Sequence, residues 1–211
     1  MSERRSFKRL SGFRDARLLI IATEGESTEK AYFEGLKQIF HSPRTHIEVL
    51  KRTDSASDPV RIMRMIDQFR STYKVRQNYD QLWVVIDVDK WGDQKLALVS
   101  QQCAQKKYHL AVSNPAFEIW LLLHVRGLET YSDEEKEEFI LNKKVNNRSR
   151  LEQELCNLLG HYNKSNLDMS CFSDRITTAI ANSRACDIRP DDRWPNELGT
   201  RVYILAELII T

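Results

Sequence analysis

The chain has 211 residues, 41% of them hydrophobic, with 32 Lys and Arg set against 30 Asp and Glu for a net charge of +2. That near-balance excludes the uniform basic field of a histone-like protein but leaves room for a local basic patch. No uncharged apolar run approaches the ~20 residues a spanning helix requires, so no membrane partner is expected. The opening MSERRSFKRLSGFRDAR lacks the apolar core of a secretion signal. Cys103, Cys156, Cys171 and Cys186 stand singly, without the close pairs that structural zinc sites use. The expectation is a cytoplasmic protein with free thiols and no zinc.

Residues 1–16 are expected to form a basic tail. Within it Arg4, Arg5, Lys8 and Arg9 are candidate phosphate contacts, with a solvated arm as the alternative. Leu18 to Thr23 is continuously apolar, as in a parallel strand buried on both faces. Ser27 suits a helix N-cap before an apolar stripe of Ala31, Tyr32, Leu36, Ile39 and Phe40. His46 to Leu50 alternates as a second strand, and Asp58-Pro59 opens a helix with Met63, Ile66, Phe69 and Tyr73 at helical spacing. Gln81 to Ile86 is a third strand, Gln94 to Lys107 a helix, and Tyr108 to Val112 a fourth strand. Asn114 and Pro115 then cap a helix through His124, a residue expected in the core or as a cation at the helix end.

This alternation predicts an α/β fold with a mainly parallel four-stranded sheet over residues 17–125, Rossmann-like and flanked by helices. Residues 126–211 read as a helical extension packed on that core. Ser132 and Glu135 form a capping box, Leu151 to Leu159 and Ile176 to Ala185 are helices, and Leu198 to Ile210 is the last. Val202 to Leu205 is the one stretch of this extension that could form a strand.

In an open α/β sheet, ligands bind outside the carboxyl ends of the strands. The first strand ends in Glu24-Gly25-Glu26 with Glu29 shortly after, and the third in Asp87-Val88-Asp89-Lys90. The fourth ends in Asn114-Pro115, with Glu118 in the following helix. Carboxylates converging on one edge repel, and a divalent cation relieves that repulsion. Oxygen donors without His or Cys suit Mg²⁺ or Mn²⁺. Glu24, Glu26, Asp87 and Asp89 are the candidate ligands, and Glu24, Asp87, Asp89 and Glu118 the candidate catalytic groups. Gly25, Glu29, Asn114 and Lys90 would support them. Lys143, Lys144, Arg148 and Lys164 could line a nucleic-acid groove or simply form a solvated face.

An apolar strand followed by E-G-E-x-x-E, and another ending in D-x-D, resembles the Toprim fold of topoisomerases, primases and certain nucleases. The closer resemblance is to RloB-like proteins, named from restriction-modification loci. It rests on Ile21 to Phe33 (I-x-x-E-G-E-x-T-E-x-x-Y-F), on Val85, Asp87 and Asp89, and on the uninterrupted Asn114 to His124. The match weakens after Val125. The resemblance implies a metal-dependent phosphodiesterase acting in phage defence, with Glu24 matching the Toprim glutamate and Asp87 and Asp89 its aspartate pair. Lys90-Trp91-Gly92 departs from the residues that often follow the D-x-D, and a half-buried loop aromatic is expected of Trp91.

The leading expectation is thus a nuclease acting on DNA or RNA, tRNA included, in the presence of Mg²⁺ or Mn²⁺. A module that binds nucleic acid or nucleotide without cutting is the alternative, and a D-x-D transferase or phosphatase a more distant one. The sequence carries no G-x-x-x-x-G-K-[ST], so it is not expected to be its own P-loop ATPase; the RloB resemblance implies a partner ATPase that controls it. A homodimer is left open.

Overall fold

The computed structural model describes residues 16–25, 27–40, 42–51, 59–88 and 91–211. Strand β1 (Arg17–Thr23) lies between two parallel neighbours, β2 (Thr45–Val49) and β3 (Gln81–Asp87). Strand β4 (His109–Asn114) runs parallel to β3, and the two-residue β5 (Gly199–Thr200) closes the edge antiparallel to β4. The order is β2-β1-β3-β4-β5. The sheet is therefore α/β and mainly parallel as expected, with five strands instead of four.

Successive side chains of a strand alternate between faces, and this decides the two cores. Leu19, Ile21, Trp83, Val85 and Ala111 face one side, where they meet Tyr32, Phe33 and Leu36 of α1 (Thr28–Ile39). Leu18, Ile20, Ala22, Leu82, Val84 and Ile86 face the other. There they pack on Ile62, Met63 and Ile66 of α2 (Pro59–Thr72) and Leu96, Val99 and Cys103 of α3 (Asp93–Lys106). Helix α4 (Glu118–Val125) is apolar all round because it is covered on every side. The covering elements include α6 (Arg150–Leu159) and α7 (Ile176–Cys186), and α8 (Val202–Ile210) packs on α7 and β4. Helix α5 (Asp133–Leu141) joins the same cluster through Phe139. Residues 126–211 thus complete the core on the α1 face and add a strand to the sheet.

Several local expectations are corrected. Val202 to Leu205 is helical, and the strand is the preceding Gly199–Thr200, held by a hydrogen bond from Arg201 N to Val112 O (2.9 Å) and by the Ser113–Thr200 hydroxyl pair (2.8 Å). Two residues are too few to show an alternating pattern in the sequence. Asn114 and Pro115 do not cap α4. Asn114 ends β4, Phe117 holds the N-cap position, and Glu118 is the first helical residue. Ser27 holds the N-cap position of α1, yet its hydroxyl makes no capping bond. The Ser132–Glu135 box is formed as read, and a second box, Ser149–Glu152, opens α6. Asp58 lies outside the described residues.

Candidate functional site

The connection from β2 to β3 steps across β1, so the chain order reverses between β1 and β3. A parallel sheet opens a crevice at such a point, beyond the carboxyl ends of the two strands. Glu24 and Asp87 are the residues that stand there. Glu24 N donates to Val85 O (3.0 Å), which continues the β1–β3 ladder by one residue and sets the carboxylate beside the end of β3. Both side chains are buried, Glu24 at 1% exposure and Asp87 at 5%.

The Glu24 carboxylate is held from two directions. Its Oε2 accepts the Asp87 backbone N–H (3.2 Å) and the indole N–H of Trp91 (2.9 Å). Trp91 is half-buried as expected, with the Lys95 ammonium 4.9 Å from its ring centroid, but it also positions the catalytic candidate. Composition and periodicity carry no signal for that role.

Glu29 folds back from the first turn of α1 so that Oε1 accepts the Gly25 N–H (2.9 Å). A Cβ on residue 25 would fall 1.8 Å from Glu29 Oε2, so only glycine leaves this carboxylate where it is.

Gly25, Glu29, Asp87 and Glu118 share a cavity of about 220 Å³ with Asn142, Lys144, Ser149, Glu152 and Lys164. Glu118 reaches it from the start of α4. Burial first, and then the neighbouring Glu29 charge, push its carboxyl up to about 7, and Tyr162 donates to its Oε1 (3.4 Å). The far wall comes from residues 126–211. Glu152 closes the α6 capping box with Oε2 and takes the Lys164 ammonium on Oε1 (3.0 Å). No sequence motif marks Glu152 as a site residue, although S-x-x-E at 149–152 signals the helix start that places it.

The other expected site residues divide. Lys144 and Lys164 line the cavity, whereas Lys143 is exposed outside it. Arg148 pairs with Val145 across a tight turn whose Asn146 and Asn147 both have positive φ, and its guanidinium contacts Cys156 Sγ (2.8 Å). The Asn114 amide does not line the cavity; it donates to Pro195 O (3.0 Å) and ties β4 to the loop before β5. Glu26, Asp89, Lys90, Arg4, Arg5, Lys8 and Arg9 lie outside the described residues. His124 is a core residue as expected, but not a cation. It lies between Tyr32 OH (3.0 Å to Nε2) and Trp120 O (2.8 Å to Nδ1), and burial pulls it down to about 4.

The donors of this edge are carboxylate oxygens, the hard set that Mg²⁺ and Mn²⁺ take. Among the described residues, no three of them place a ligand atom each within 4.8 Å of the other two. Mg²⁺ fits such a spread arrangement, because it is usually held by one or two carboxylates and keeps several waters. No helix among the described residues is long and apolar enough to cross a membrane.

A family model described as RloB-like protein matches residues 19–209, nearly the whole chain. No curated protein and no solved structure matches it.

Proposed function

The chain belongs to the RloB-like family, and from that premise we propose that it is a Toprim-type nuclease dependent on Mg²⁺ or Mn²⁺, an effector of antiphage defence controlled by a partner ATPase. The observation that carries the reading is the placing of Glu24 and Asp87 side by side at the β1–β3 crevice, with Glu118 and Glu29 in the adjoining cavity.

Glu24 and Asp87 would hold the ion, joined by Asp89 and Glu26. The ion would supply charge to offset that on the scissile phosphodiester and a bound water of lowered pKa. The protein's own contribution begins with positioning. Trp91 and the Asp87 amide fix one oxygen of Glu24, so this carboxylate needs little reordering. Glu118, with its proton held up to about 7, is suited to carry a proton at neutral pH and deliver it to a leaving oxygen. Lys144 and Lys164 bring positive charge to an acidic cavity and suit a phosphate group there.

The binding-module alternative draws on the spread of the carboxylates, which among the described residues are not gathered into a tight ligand set. One experiment separates the two readings. The purified chain is incubated with Mg²⁺ or Mn²⁺ and single- and double-stranded DNA, RNA and tRNA, alone and with a P-loop ATPase from the same locus. Metal-dependent cleavage that disappears in Asp87→Asn and Glu24→Gln supports the nuclease. Metal-dependent binding without cleavage in every combination supports the module.

A further inference from the structure

The loop between α6 and α7 gathers a second set of metal donors of different chemistry. Gly160, at φ +75°, ends α6 in the left-handed conformation and turns the chain outward at His161. Seven residues later Asp168 caps the 3₁₀ turn Met169–Cys171. Its Oδ1 accepts both the N–H and the hydroxyl of Ser170 (3.0 and 2.7 Å). That cap fixes the carboxylate plane and leaves Oδ2 directed to His161 Nε2, 3.8 Å away. Cys171, at the end of the same turn, brings a sulfur to the same spot. One ligand atom from each of His161, Asp168 and Cys171 lies within 4.8 Å of the other two. Among the described residues no other group of three acidic, His or Cys side chains does this.

An exposed Asp–His contact needs no special account and contributes little. The sulfur is what such a pair leaves unexplained. Zinc-like cations bind N, O and S donors at 2.0–2.3 Å, which sets tetrahedral ligands about 3.5 Å apart. The His161–Asp168 separation of 3.8 Å is a few tenths of an ångström wider, and no pair is farther apart than 4.8 Å, a gap that side-chain rotation closes. A mixed N/O/S set selects a borderline cation over Mg²⁺. We propose that His161, Asp168 and Cys171 form a surface site for Zn²⁺ or a cation of the same class, with water in the fourth position.

The site pins both ends of the loop that reaches the acidic cavity. Between His161 and Asp168, Tyr162 donates to Glu118 (3.4 Å), Lys164 O accepts the Thr28 hydroxyl (3.2 Å), and the Lys164 ammonium pairs with Glu152 (3.0 Å). An ion across the loop's base holds these three contacts in place. The metal site itself is independent of the nuclease reading; only an effect on cleavage would rest on it. The cysteine spacing of the sequence hid the site, because its ligands are three different residue types and one of them lies seven residues upstream.

The test uses the full chain, stripped with chelator and titrated with Co²⁺ as a spectroscopic stand-in for Zn²⁺. With excess Mg²⁺ present to occupy the carboxylate edge, the expected result is one thiolate-bound Co²⁺ per chain, seen as a thiolate-to-cobalt charge-transfer band that Zn²⁺ abolishes. The band is absent in Cys171→Ala, which keeps Cys103, Cys156 and Cys186. Asp168→Asn retains the cap acceptor but loses the carboxylate, and it weakens the band without altering the circular dichroism spectrum. Added Zn²⁺ raises the melting temperature of the wild type and leaves that of His161→Ala unchanged. A wild-type chain without the band, or a band that survives in Cys171→Ala, overturns the proposal. Because no step reads cleavage, failure here is distinct from failure of the nuclease reading.

Discussion

The indole N–H of Trp91 donates to Glu24 Oε2 across 2.9 Å, joining the loop after β3 to the carboxylate after β1. Hydrogen bonds to charged groups contribute about 1.5–3 kcal/mol. Trp91→Phe keeps most of the ring and removes the donor. We expect Mn²⁺ affinity at the acidic edge, read by calorimetry, to fall roughly ten- to a hundredfold, with cleavage falling alongside. Unchanged affinity would reduce Trp91 to a packing residue.

Glu118 and His124 sit on the same short helix and pull the pH dependence of stability in opposite directions. Glu118 has its carboxyl raised to about 7 from 4.5. Between those values the folded chain binds more protons than the unfolded chain, so stability falls as pH rises through the window and the loss persists above it. Glu118→Gln removes the cost of burying a charged carboxylate and, with it, the repulsion with Glu29. In chelator at pH 8 this variant should be more stable by about 2 kcal/mol, after discounting for its partial exposure. Its melting temperature should rise by several degrees while cleavage is lost.

For His124 the sign reverses. Its folded value of about 4 lies below the ordinary 6.5. Between these the unfolded chain binds more protons, so stability is complete above about 6.5 and is lost as pH falls toward 4, by about 3 kcal/mol in all. Urea melts of His124→Gln should lack this component and leave the opposite slope of Glu118 exposed. If the wild type and His124→Gln share one pH profile, the buried imidazole is not neutral.

The strands and the edge they feed were legible in the sequence for one physical reason. Leu18 to Thr23 and Gln81 to Ile86 are buried on both faces, so each reads as an uninterrupted apolar run, and the polar residue that ends each run marks the crevice. What escaped notice depends on contacts between distant segments. Trp91 meets Glu24 across 67 positions, and Thr200 meets Ser113 across 87. No local period encodes either. Asn114 misled for a related reason. An Asn-Pro pair before an apolar helix has the composition of a cap, yet the amide is taken by Pro195, 81 residues on. His161, Asp168 and Cys171 were likewise separate in every local pattern and meet only through the 3₁₀ turn at Met169–Cys171.

Gly25→Ala tests whether Glu29 belongs to the working site. The added methyl would meet Glu29 Oε2 at 1.8 Å and must displace that carboxylate, breaking its bond with the residue 25 amide. Because the clash falls on the tip of a flexible side chain, the fold should tolerate it, with a melting temperature within a few degrees of wild type. The displaced Glu29 also weakens the like-charge effect on Glu118, whose first cause is burial and whose second is Glu29. The alkaline arm of the cleavage profile should therefore shift to lower pH, since a proton on Glu118 would be given up more easily. Cleavage measured from pH 5 to 9 in fixed Mn²⁺ reads this shift. A variant that folds, cuts at the wild-type rate and keeps the wild-type profile would place Glu29 outside the chemistry and leave it the role of closing the turn before α1.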